Sequence, residues 1–278
     1  RFYQPMTLLQ LVQRVFESGE VPRNAIVITV DDGYRDFHDV AWPILKEFNV
    51  PATLFVTTGF VSGDLWLWPD QVTWLFSQAP ELDTTIAVGD FELSTSSVHA
   101  NRRATWQSLV GYLLSIPDKD KHRAIQQLAD SWSLSLPNEA PDDYAACSWE
   151  HLRDMEAAGI EIGGHTVTHP SLGCVDESQA RQEIQGCLDM LNKQLGARDR
   201  TFCYPNGEPS DFSIALKGVV QSVGFSAAVA AFADSLGLTH RYSLRRHSSG
   251  EDRFQFYKSV SGVELLGHRL RKTVKVLA

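Results

Sequence analysis

Four side chains in this sequence could share one metal ion and one proton: Asp31, Asp32, His165 and His169. The two carboxylates are adjacent and end an apolar, β-branched run, Ala25 to Val30 (AIVITV), just before Gly33. Such a run reads as a buried strand that carries two acids at its C-terminal end. The imidazoles lie four residues apart in Gly163 to Leu172 (GGHTVTHPSL). That spacing lets both reach one ion, either from a helix or from a strand end turning into one. A neighbouring Asp would complete a three-ligand site with an open position for water. Taken alone, the Asp pair reads equally well as a polar loop capping a helix, because Asp ahead of a helix is ordinary. The histidine pair is what turns the reading toward metal-assisted hydrolysis.

The elements that must position these residues alternate in type. Thr7 is a plausible N-cap for a helix whose Leu8, Leu9, Val12, Val15 and Phe16 keep one apolar face and which stops at Gly19. After the Asp31 strand, residues 36 to 48 have helical spacing, and Ala52 to Thr57 (ATLFVT) is a second buried strand. A strand, a helix and a strand in about 30 residues make a right-handed parallel unit. The same pattern resumes at Trp149: a helix to Ala158, a short strand at 160 to 163, a long helix at 177 to 195, a strand at 201 to 204, a helix at 212 to 223 and a strand at 225 to 230. Repeated units of this kind predict a barrel of parallel strands with its site at their C-terminal ends.

Between about residues 64 and 146 the character changes. Six of the seven tryptophans fall between Trp66 and Trp149. Residues 86 to 93 alternate around Gly89-Asp90 like a hairpin, and 105 to 116 and 122 to 132 are amphipathic. This stretch reads as a mainly helical insertion in a single domain that spans 1 to 278. A helical insertion needs a core, so its tryptophans are first of all packing residues. Trp66 and Trp68, close behind a strand end, are the candidates for sugar stacking.

Composition narrows the function classes. At 278 residues and 43% hydrophobic content, the chain can bury a large core without disulfides. Cys147, Cys174, Cys187 and Cys203 show no CxxC pairing and read as buried thiols, which makes a reducing, cytoplasmic compartment the expected one. The chain opens at Arg1 rather than Met, so a trimmed leader or anchor stays open. A net charge of −9 argues against nucleic-acid partners. No run of about 18 apolar residues is present to span a membrane. Nothing in the sequence encodes an oligomeric state.

Three motifs in order resemble the polysaccharide deacetylases with a NodB-type domain, carbohydrate esterase family 4. They are Thr29-Val30-Asp31-Asp32-Gly33, His165-Thr166-Val167-Thr168-His169 and Phe202-Cys203-Tyr204-Pro205-Asn206-Gly207. The resemblance implies an irregular (β/α) barrel of about seven strands. It assigns Asp32, His165 and His169 as ligands of a divalent metal, with zinc the default for that donor set and cobalt, nickel or manganese as alternatives. It makes Asp31 the general base and gives the backbone N–H of Tyr204 to the oxyanion, with Pro205 and Asn206 in the substrate-binding turn. It also implies hydrolysis of N-acetyl groups on an amino sugar of a glycan or glycan precursor.

The later motifs depart from the family pattern. No Arg directly precedes Tyr204-Pro205, and Arg200 lies upstream in the strand. Leu244-Arg245-Arg246 resembles an L-P-R element carried by members that act in surface-polysaccharide synthesis, which makes Arg246 a candidate partner for Asp31 and equally a plain exposed arginine. For the general acid, Leu238-Thr239-His240 and Leu266-Gly267-His268 fit the family's late L-x-H motif loosely, His247 beside the arginine pair is the third candidate, and no D-x-x-D-W support is present. Three other readings follow from the same residues: an O-acetyl sugar esterase, a non-catalytic carbohydrate-binding relative, and a metal phosphohydrolase. The last lacks extra acidic ligands and a basic phosphate clamp.

Overall fold

The computed structural model describes residues 3–211, 213–231, 237–250 and 252–261. Ten strands lie in chain order: β1 Gln4–Pro5, β2 Ala25–Ile26, β3 Thr29–Val30, β4 Thr53–Val56, β5 Thr85–Val88, β6 Phe91–Ser94, β7 Glu161–Gly164, β8 Thr201–Cys203, β9 Ala227–Ala230 and β10 Leu244–Arg245. β1 pairs with β2, and a six-stranded sheet runs β10-β9-β8-β7-β4-β3; every one of these pairings is parallel. β2 and β3 are two pieces of one apolar run, so the ladder has seven strand positions, in keeping with an irregular (β/α) barrel. Among the described residues no ladder joins β10 to β1.

Side chains alternate across this sheet as the period of two requires. Phe55, Cys203, Ala227, Val229 and Leu244 share one cluster on the inner face with Leu8 and Val12. Leu54, Val56 and Ile162 face outward against the helices at Trp149–Ala157 and Glu177–Leu195. Phe202, Tyr204, Ala228 and Ala230 face outward against that long helix and the one at Ile214–Val223. The helix at Leu8–Val12 starts at a Thr7–Gln10 capping box. Its first amides donate to Thr53 Oγ1 at 2.9 Å and Glu161 Oε2 at 2.8 Å, at the N-terminal ends of β4 and β7. This helix therefore plugs the end of the barrel opposite the site.

Between β4 and β7 the chain leaves the sheet. The helices at Trp68–Ser77, Arg102–Ser115 and Asp118–Ser131 pack with the antiparallel pair β5–β6 around a core of their own, which includes Val72, Phe76, Leu93, Leu109, Ile125 and Leu128. No helix among the described residues is long and apolar enough to cross a membrane.

Candidate active site

The site forms where β3, β7, β8 and β10 end. Asp31 and Asp32 follow β3 directly, but the backbone turns left-handed at Asp32, with φ at 76°. At this break the two carboxylates part and find different partners.

Asp31 points toward the inner face of the sheet. The Arg246 guanidinium takes it as a fork, Nη1 to Oδ1 and Nη2 to Oδ2, both at 2.7 Å. Arg246 is itself fixed by the Ala230 carbonyl at 3.3 Å, Thr29 Oγ1 at 3.1 Å and Cys203 Sγ at 3.2 Å. Burial alone would raise the Asp31 carboxyl, but the Arg246 hydrogen bonds and charge outweigh it and hold the group below its ordinary value. Arg246 is thus seated in the site and is no free surface arginine. Arg200 is buried on the other side of the sheet, bonded to Glu156 at 3.0 Å and the Ile162 carbonyl at 2.8 Å.

Asp32 turns to the two histidines. Nε2 of His165 and Nε2 of His169 each lie 3.3 Å from Asp32 Oδ1, and both rings are buried. His165 Nδ1 is 2.8 Å from the Cys203 carbonyl, which can only accept, so Nδ1 carries a proton and Nε2 is the nitrogen turned to the carboxylate. Asp32 Oδ1 is buried with no hydrogen-bond partner among the described residues. Two imidazole nitrogens and a carboxylate oxygen converge on one buried point, the donor set that holds a divalent cation. Two ligands about 2.0–2.1 Å from one tetrahedral ion stand roughly 3.3–3.4 Å apart, close to the spacing seen here. Asp32, His165 and His169 therefore fit a divalent metal.

The structure relocates two other expected site residues. Trp66 is 5% exposed, edge-on to Trp74 and tilted against Tyr144. Trp68 is 2% exposed in the insertion core, with Lys121 Nζ 4.7 Å from its ring centroid. Neither indole has a free face for a sugar, because the insertion needed both for its own packing. At Tyr204 the backbone N–H lies 3.3 Å from the Val229 carbonyl, the ring packs on the helix side, and the hydroxyl donates to the Tyr242 carbonyl at 2.9 Å. Two residues on, Pro205 is buried and Asn206 turns left-handed, with φ at 59°. Asn206 Nδ2 donates to Ser171 Oγ at 3.2 Å, while its backbone N–H takes no partner among the described residues. His240 and His247 are exposed, and His268 lies outside the described residues.

Sequence reasoning missed a second pair at the rim. The Tyr34 hydroxyl donates to Asp70 Oδ2 at 2.7 Å, tying the motif after β3 to the first turn of the insertion helix at Trp68–Ser77. Asp70 stands in a run of aromatic residues, where a lone acid is the only signal the sequence carries.

A parallel barrel with an Asp-His-His group that could hold a metal ion, and a paired Asp beside it at the strand ends, narrows the class of protein. Comparison with known proteins makes the class specific: a family model described as polysaccharide deacetylase matches residues 18–94 and 105–228. The chain belongs to the polysaccharide deacetylase family. It is 24% identical over 154 residues to the poly-beta-1,6-N-acetyl-D-glucosamine N-deacetylase of Staphylococcus epidermidis, covering 53% of this chain and 50% of that one. It is 30% identical over 107 residues to the enzyme of the same name from Escherichia coli K12, covering 38% of this chain and 13% of that one. The chain thus spans half or less of the length of these relatives. Among solved structures, the Streptococcus pyogenes deacetylase PplD in complex with acetate aligns with TM-score 0.54 at 17% identity, over 92% of this chain and 79% of that one. IcaB from Ammonifex degensii aligns with TM-score 0.53 at 16% identity, over 93% and 82%. These likenesses show the fold.

Proposed function

We propose that this protein is a metal-dependent N-deacetylase acting on an N-acetylated amino-sugar glycan of the bacterial surface. The observation that carries the reading is the convergence of His165 Nε2, His169 Nε2 and Asp32 Oδ1, beside a second carboxylate already paired with arginine. Zinc is the ion this donor set favours. Bound there, it would supply an acidified water and a Lewis acid for an acetyl carbonyl.

The chain's own residues do the rest. Asp31, kept ionised by Arg246, is free of the histidines and placed to accept a proton from the attacking water as general base. The Arg246 fork fixes the carboxylate's direction and engages one lone pair on each oxygen, so the proton is taken on a remaining lone pair. The Asn206 amide, in the turn after β8, is the backbone donor we assign to the developing oxyanion in place of Tyr204. The names of the similar deacetylases point to N-acetylglucosamine polymers as the substrate class.

Acetate release from N-acetylglucosamine oligomers by zinc-loaded protein tests the reading, with Asp31→Asn in parallel. We expect release by the parent and a loss of roughly 10²–10⁴-fold in the variant at unchanged zinc content. Zinc-loaded parent that releases no acetate from N-acetylated oligomers, or Asp31→Asn as active as the parent, would overturn it.

A further inference from the structure

The loop that carries the two histidines is held in an unfavourable shape. Thr166 and His169 both have positive φ, 67° and 60°. For a β-branched residue such as Thr166 this is a rare conformation that persists only where its surroundings enforce it. The enforcement comes from two sides. Thr58 and Gly59, at the start of the short helix Thr58–Val61, donate their amides to the Thr166 and Val167 carbonyls at 3.1 and 2.9 Å. From the other side one buried carboxylate, Glu183, accepts three donors of the loop's middle. Its Oε2 takes the amides of Val167 at 2.9 Å and Thr168 at 2.8 Å, and its Oε1 takes the Thr168 hydroxyl at 2.7 Å.

Glu183 has no outward purpose. It is 9% exposed and lies on the packed face of the helix Glu177–Leu195, in register with Ala180, Ile184, Cys187 and Leu191. An acid on that face would be costly to bury unless its partners were worth the desolvation. Its partners are the residues between His165 and His169. Pulling both amides to one carboxylate fixes the turn that sets the two imidazoles against each other, 4.9 Å between centroids and 64° between planes.

We propose that Glu183 is a positioning residue for the metal pair: its carboxylate fixes the loop between His165 and His169, and so the angle at which both rings meet Asp32. The inference rests on the metal reading above. Partners one step removed from a metal, such as this, affect affinity by about 10–100-fold.

Zinc affinity of the whole chain, read by competition with a chromophoric chelator, and the visible spectrum of the cobalt-loaded protein test it without any assay of activity. Glu183→Ala should weaken zinc by about 10–100-fold and change the cobalt bands. Glu183→Gln keeps an acceptor for the two amides, so it should recover part of the loss yet remain measurably weaker than the parent; it decides the matter if Glu183→Ala does not fold. Glu156→Gln, at the buried acid that pairs with Arg200, controls for general destabilisation and should bind zinc as the parent does. Glu183→Gln with parental zinc affinity and an unchanged cobalt spectrum would overturn the role of Glu183. Parent protein that takes up neither ion would instead sink the metal reading, and this inference with it.

Discussion

Asp31 and Asp32 are neighbours with opposite partners, and the difference is made by one backbone torsion. Asp31 keeps to the inner face and meets Arg246; Asp32, turned by its positive φ, meets the histidines. The separation gives two acids two chemical environments within one motif, which is how a single strand end could hold both a ligand and a base. The same scale shows where the sequence misleads. Trp66 and Trp68 sit in loop-like sequence near a strand end, where sugar-stacking indoles are expected, yet the burial of a side chain is decided by elements far away in the chain. Trp66→Phe should therefore leave KM for an N-acetylated oligomer within about twofold while lowering the melting temperature, because it removes packing area and no binding surface. A tenfold rise in KM at unchanged melting temperature would return Trp66 to the binding site.

At the scale of elements, the motifs were legible because each is local: an apolar run ending in two acids, two histidines at fixed spacing, a Tyr-Pro turn. The strand and helix order was legible for the same reason, since periodicities of 2 and 3.6 separate the elements, and β5–β6 and the helix Glu177–Leu195 lie where the pattern put them. Glu183 was not legible as a site residue, since an acid in an amphipathic helix reads as solvated until the packed face is known. Nor was Asp70, whose meaning depends on the insertion folding back onto Tyr34. Burial pushes the Asp70 carboxyl up to about 6 from 3.8, with the Tyr34 hydrogen bond opposing and the Asp32 charge reinforcing the rise. A native value above the unfolded one contributes stability that is complete below about 3.8 and is lost as pH rises through about 6. Asp70→Asn, which keeps an acceptor for Tyr34, should make the metal-free protein more stable at pH 7.5 by about 1–3 kcal/mol. Urea midpoints should show that gap narrowing as pH falls; an equal gap at acid and neutral pH would contradict the burial argument.

At the scale of the molecule, two cores share one chain. The insertion core between Trp68 and Trp132 and the clusters on either face of the sheet draw on different buried residues. Leu109, fully buried in the insertion, touches none of the sheet clusters. Leu109→Ala should cost about 2–5 kcal/mol in urea titration while zinc affinity at 25 °C stays within twofold of the parent. A loss of zinc affinity matching the loss of stability would mean that the insertion braces the metal site.

The Arg246 fork reaches Asp31 across 215 residues of sequence. Contacts of that range are slow for a folding chain to make, since the loop they close is about three quarters of its length. The carboxylate pair can be present, and the histidine loop formed, well before the guanidinium arrives. A refolding chain would then pass through a stage that captures metal but leaves Asp31 unpaired, and the return of activity would lag behind the return of metal binding. The order of those two signals in a stopped-flow trace is a clock for the docking of β10.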